Sequence, residues 1–162
     1  HAQCVAVLLY IGSRILMKLV FLSAEFYEDY ADCSEIEQKP TRPYIRIGVL
    51  INGVLWAVPF RSNIRHEHVI WTNEAKRCGM DFSKAVVIVD PERYIDSAVP
   101  HLRGEEFAVL KTINAHAIEA KMAQFIGTYK KAKRAPNVPR NKRLLTYSTL
   151  QYFEEYIPKD TE

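Results

Sequence analysis

Cysteine, glycine and long apolar runs are all scarce in this chain, and each scarcity excludes something. The three cysteines, Cys4, Cys33 and Cys78, are widely spaced, odd in number and free of CxxC or Cys/His ligand patterns. A disulfide framework and a structural zinc site are therefore not expected, and the thiols read as reduced in a cytoplasmic protein. The apolar run at residues 4–12 is shorter than the roughly 20 residues a bilayer span needs, and nothing later in the chain approaches that length. No P-loop and no G-x-G-x-x-G occurs, which removes the common nucleotide-binding readings. Repeats and low-complexity segments are absent too, so solenoids and disordered tracts are set aside.

What is present suits one ordinary domain: 162 residues, 48% hydrophobic and 25% charged, enough apolar material for a core. Net charge is only +3, but it is unevenly distributed. Glu25, Glu28, Asp29, Asp32, Glu35 and Glu37 crowd an early stretch with no base among them. Lys121, Lys130, Lys131, Lys133, Arg134, Arg140, Lys142 and Arg143 form a late stretch with no acid. The first repels phosphate and the second attracts it.

The chain starts with His1, and Met17 opens a run that reads as a natural first strand. Residues 1–16 are read as an upstream extension, a hydrophobic anchor being the alternative, and residues 17–162 as a single domain. Lys18 to Leu22 is β-prone, and Ser23 offers an N-cap to a short acidic helix ending near Ala31. Tyr44 to Ile51 and Val54 to Phe60 flank Asn52-Gly53, a strong hairpin signal, so both turn residues are expected at positive φ. That turn fixes the register and sets Arg42 beside Arg61 and Ser62 at the open end.

Val69 to Thr72 reads as a strand, Cys78-Gly79 as a turn, and Lys84 to Val89 as a buried strand closed by Asp90-Pro91. Helix begins near Glu105. Ile118, Met122, Phe125, Ile126 and Tyr129 form an apolar stripe that ends before Ala135-Pro136. A basic loop with Pro139 then leads to Ser148-Thr149-Leu150-Gln151, an S-x-x-Q capping box opening a terminal helix through Tyr156. Strands in front and helices behind indicate an α+β fold, a small curled antiparallel barrel with additional helices and a long C-terminal helical part.

Functional chemistry is densest from Val58 to His68. Arg61, Ser62, Asn63, Arg65, His66 and His68 leave a strand together, and the hairpin adds Arg42. These groups suit cleavage of RNA by its own 2′-hydroxyl, which needs proton transfer and stabilisation of a charged phosphorane. Arg42 and Arg65 can hold phosphate bidentately, Ser62 can donate to a non-bridging oxygen, and His66 or His68 can act as acid or base. Ser62 lies in no G-x-S-x-G elbow, and His66-Glu67-His68 lacks the H-E-x-x-H spacing of a zinc helix. No metal and no cofactor is expected. The segment Lys130, Lys131, Lys133, Arg134, Arg140, Asn141, Lys142, Arg143 has the composition of a phosphate-contacting surface, with Tyr129 and Tyr147 at its margins for stacking.

These residues resemble the endoribonuclease toxins of type III toxin-antitoxin systems, the ToxN and AbiQ group, and most closely its TenpIN branch. The resemblance runs from Met17 to Tyr156. It is carried by Met17-Lys18, Arg42-Pro43-Tyr44, the Asn52-Gly53 hairpin, Pro59 to Ile64, Asp81-Phe82-Ser83-Lys84-Ala85, Pro139 to Leu145 and Ser148 to Phe153.

It implies a Kid/MazF-like, SH3-like barrel core and a toxin that cuts cellular or phage RNA without metal, leaving 2′,3′-cyclic phosphate and 5′-hydroxyl ends. It also implies phage defence by abortive infection. A small repeated, pseudoknotted antitoxin RNA, processed by the toxin and bound in a closed protein-RNA assembly, would hold it inactive.

The family's catalytic serine falls on Ser62, and a ToxN-branch lysine aligns with Arg42, which keeps the charge but not a titratable amine. The basic residue after the serine has Ile64 in its place, and its role moves to Arg65. Catalysis is thus assigned to Ser62, Arg42, Arg65 and His66. RNA binding falls to Lys18, Arg61, Asn63, His68, Lys84 and the basic segment from Lys130 to Arg143, with the acidic early helix facing away. The alternative is a non-catalytic RNA-binding regulatory module using the same basic groove. A third reading is a subunit whose basic loop meets an acidic partner protein.

Overall fold

The computed structural model describes residues 9–11, 15–51, 53–102 and 104–160. Among them the chain is α+β, built on an antiparallel sheet in the order β1-β2-β3-β4-β6-β5, with β7 also paired to β4. The strands are β1 (Leu9–Ile11), β2 (Ile15–Val20), β3 (Tyr44–Ile51), β4 (Val54–Arg61), β5 (Val69–Asn73), β6 (Cys78–Asp81) and β7 (Val86–Val87). The helices are α1 (Ala24–Asp29), α2 (Pro91–Tyr94), α3 (Gly104–Leu110), α4 (Ala115–Arg134) and α5 (Pro139–Tyr147). Of the stretch read as an extension, residues 1–8 and 12–14 lie outside the described residues, and β1 pairs with β2. No helix among the described residues is long and apolar enough to cross a membrane.

The β3–β4 hairpin forms where the sequence places it. Gly53 takes φ 72°, and Asn52 lies outside the described residues. The register counted from the turn is not kept, because a bulge intervenes between Ile47 and Ile51. Beyond it Ile45 pairs with Val58 and Tyr44 with Pro59. Strand β4 then serves two neighbours on its other edge: Trp56 and Ala57 pair with β7, Phe60 and Arg61 with β6. Pro59 stands between those pairings, where its missing N–H removes no ladder bond.

Local chemistry explains the other elements. The Ser23 hydroxyl accepts from the Phe26 N–H and caps α1, as expected. Helix α4 buries the stripe Ile118, Met122, Phe125, Ile126 and Tyr129 against a core that holds Trp56, Phe26, Phe82 and Phe153. Cys78-Gly79 is not a turn but lies inside β6. The turn is Glu74 to Arg77, closed by Arg77 at φ 53°. Gly79 is needed where it is because a Cβ there would come within 2.4 Å of the Ile70 carbonyl oxygen.

The Lys84–Val89 strand shrinks to Val86 and Val87, since a 3-10 turn occupies Phe82–Lys84. The basic loop after Pro139 is instead helix α5, with Pro139 at its first position, where an absent N–H costs nothing. Ser148 does act as an N-cap, accepting from Leu150 N–H, but the element it opens is 3-10 (Thr149–Tyr152), and a second 3-10 turn spans Glu154–Tyr156. The Gln151 amide donates to the Ser148 and Thr146 carbonyls, so the reciprocal bond of a capping box is not made.

Candidate functional site

The strand exit after Arg61 turns sharply through Asn63, which sits at φ 57°, a left-handed conformation that asparagine tolerates better than most residues. Ile64 is then pinned to the far turn. Its N–H donates to the Arg77 carbonyl at 3.1 Å, and its carbonyl accepts from Arg77 Nε at 2.5 Å. Residues 65–68 therefore run in a fixed path over the sheet. They face α5 across a groove of about 590 Å³, with Ser83 and Thr128 in its lining.

Helix α5 brings Arg140, Asn141, Arg143 and Tyr147 to this groove, opposite Arg65, His66, Glu67 and His68. Tyr147 is 63% exposed, a free aromatic face. Arg140 meets Glu67 at 3.1 Å, and both side chains are open to water. Asn141 donates to the Ala135 carbonyl at 2.9 Å and so joins α5 to the end of α4. Lys84 donates to the Tyr147 carbonyl at 2.7 Å, placing a cation at the C-terminal end of α5. Burial, and then the nearby Arg61, hold the Lys84 pKa below the ordinary lysine value.

Beneath the groove lies Asp81, fully buried. Its Oδ2 accepts from Arg61 at 2.6 Å, and its Oδ1 from the Ser83 hydroxyl at 2.6 Å, the Ser83 N–H at 3.0 Å and His66 Nε2 at 3.1 Å. Burial pushes this carboxyl up, but the donors from His66, Ser83 and Arg61 outweigh it and hold the pKa below the usual carboxylate value. Arg61 continues the chain of charges to Glu37, which also takes Arg42. Arg42 further donates to the Phe60 carbonyl at 2.8 Å, and its Nε is buried without a partner.

The sequence-derived residues thus fall into separate places. Arg42 and Ser62 meet at the open end of the hairpin, in a second depression of about 270 Å³ that also holds His101 and Glu106. None of its lining residues is shared with the groove that holds Arg65, His66 and His68. Arg42 and Arg61 are committed to Glu37. Asn63 shapes the backbone. Lys18 sits on β2 opposite Arg46, away from both depressions.

At the end of α4, Lys130 and Arg134 pair with Asp160, and Lys133 with Glu154. Lys131, Lys142 and Arg143 are exposed. The acidic stretch is not segregated: Glu25 and Asp29 bind Arg93, while Glu37 reaches the arginine cluster. Asp81 and Ser83 were missed as site residues. In the sequence they stand only as part of a segment that carries the resemblance and as an Asp two positions before a Ser, the pattern of a side chain closing a turn. Searches of family models, curated proteins and solved structures find no match to this chain.

Proposed function

We propose that the protein is an endoribonuclease of the type III toxin class, acting in the cytoplasm and cutting RNA through the RNA's own 2′-hydroxyl. The observation that carries this is the groove in which α5 sets Arg140, Arg143 and Tyr147 opposite Arg65, His66 and His68. Guanidiniums suit the phosphate, an exposed tyrosine ring suits a stacked base, and imidazoles suit proton transfer. The RNA lies in this groove and extends over the exposed cations of α5.

The resemblance adds the finer parts of the proposal. The sheet, with β4 shared between two sets of partners, forms a Kid/MazF-like barrel core. A repeated, pseudoknotted antitoxin RNA is both processed and bound; Ser62, on which the family's catalytic serine falls, lines the other depression, so the chemistry is assigned to the groove without it. Incubating the purified full chain with total bacterial RNA and EDTA, followed by end-group analysis, tests this. Discrete cuts with 2′,3′-cyclic phosphate ends support it, and intact RNA refutes it.

A second reading, a non-catalytic RNA-binding module, is favoured by the engagement of Arg42 and Arg61 with Glu37 and by the separation of Ser62 from the histidines. In that case RNA binds tightly and is recovered uncut.

A further inference from the structure

The two histidines of the groove are two residues apart and look interchangeable in sequence, but their hydrogen bonds make them different. His66 Nδ1 accepts from the His68 backbone N–H at 3.1 Å, so in the neutral ring that nitrogen carries no proton. The ring proton is on Nε2, which points at Asp81 Oδ1 at 3.1 Å and lies 3.2 Å from the Ser83 hydroxyl. Both nitrogens of His66 are therefore occupied. The carboxylate that holds one of them is fully buried and accepts from Arg61 and Ser83 as well. Ser83 and Asp81 approach the same nitrogen, so the arrangement is not a triad in which the acid orients the ring from its far side.

His68 is the opposite case. Among the described residues, neither of its ring nitrogens makes a hydrogen bond to a protein group; its backbone N–H alone donates, to His66. Its ring stands edge-on to Phe125, with centroids 5.0 Å apart, and lies 5.5 Å from that of His66. It lines both the main groove and an adjoining depression of about 220 Å³ against α4. The groups facing it are His66, Glu67 and Asp81 from the sheet side, Lys121 and Gln124 from α4, and Arg140 and Arg143 across the groove from α5.

We propose that His68 takes the proton of the reacting 2′-hydroxyl, and that His66, anchored on Asp81, is its positioning residue. This rests on the endoribonuclease reading above. The 2′-oxygen bonds to phosphorus as its proton passes to a free ring nitrogen of His68. The P–O5′ bond breaks with its electron pair on O5′, which takes a proton from water. Burial, then His66 and Lys121, hold the His68 pKa below the ordinary histidine value against Glu67 and Asp81, so the ring has a lone pair to offer at neutral pH.

Single-turnover cleavage of one single-stranded RNA, followed from about pH 5 to about pH 9, tests the assignment. His68→Ala is expected to lose about 100-fold in rate and to regain part of it with added imidazole. In His66→Gln, loss of a neighbour that depresses His68 moves the acid limb up toward the ordinary histidine value. Nitrogen NMR of the unmutated protein covers the case in which a variant fails to fold. There His66 is expected as the Nε2–H tautomer, and only His68 responds to an uncleavable 2′-deoxy dinucleotide.

Cleavage by His68→Ala at the wild-type rate overturns the assignment and leaves the endoribonuclease reading standing, as does imidazole rescue of His66→Ala alone or a response at His66 rather than His68. A wild-type protein that cuts no RNA removes both.

Discussion

Replacing Asp81 by asparagine tests whether the layer under the groove is held by charge. Asp81 is fully buried and accepts from Arg61, His66 and Ser83. In Asp81→Asn one oxygen becomes an NH₂ group facing at least one donor, and the Arg61 guanidinium loses its buried partner. Removing one member of a buried pair costs about 3–5 kcal/mol. Arg61 keeps Glu37 and is 22% exposed, so the lower end, about 3 kcal/mol, applies. With a urea slope of about 2 kcal/mol per molar, the unfolding midpoint falls by about 1.5 M.

The acid limb adds a second readout. Because the folded Asp81 pKa lies below its ordinary value, the unfolded chain binds more protons in acid. This stabilisation is present above the unfolded value, near pH ~3.9, and is lost as pH falls through the folded one. Asp81→Asn lacks that part of the limb. A midpoint shift under about 0.5 M at neutral pH, with an unchanged acid limb, would refute the reasoning.

Three further outcomes are expected. Gly79→Ala forces a Cβ against the Ile70 carbonyl oxygen and costs about 2 kcal/mol in a urea titration; a neutral result would mean β5 and β6 separate without penalty. Asp160→Asn releases Lys130 and Arg134, so RNA binding tightens and the slope of log K against log salt steepens by about 1.4. No change in slope would remove the end of α4 from the RNA surface. Reversing the charges of Arg140 and Lys142 weakens RNA binding and flattens its salt dependence more than reversing Lys18, which sits on β2 away from the groove; equal effects would contradict the placement of RNA on α5.

Periodicity and turn chemistry made some of the fold legible. The α4 stripe was readable because its five apolar residues fall on one face and are all buried, and the hairpin because Gly53 supplies the positive φ that its turn requires. Helix α5 was hidden for the opposite reason: none of its residues is fully buried, so it lacks an apolar stripe, and Pro139 starts the helix rather than breaking it. Gly79 misled because glycine also serves close strand approach, while Arg77 takes the left-handed turn position that glycine usually fills.

At the candidate site, the density of functional groups from Arg61 to His68 was visible, but their division between two depressions was not. That division depends on Asp81, twenty residues beyond Arg61, and on α5, whose Arg140 reaches Glu67 across 73 positions of sequence. Pairings of that range leave no local pattern. The acidic stretch likewise gave no sign that Glu37 would lie between two arginines.

The most direct test of the central claim, that RNA is cut in the groove between residues 65–68 and α5, is single-turnover cleavage by the double variant Arg140→Ala with Arg143→Ala. Losing two guanidinium contacts to phosphate should lower kcat/KM by about 100-fold or more while the unfolding midpoint stays that of the wild type. Wild-type cleavage by this variant, together with its loss in Ser62→Ala, would contradict the claim and place the chemistry in the depression of Arg42 and Ser62.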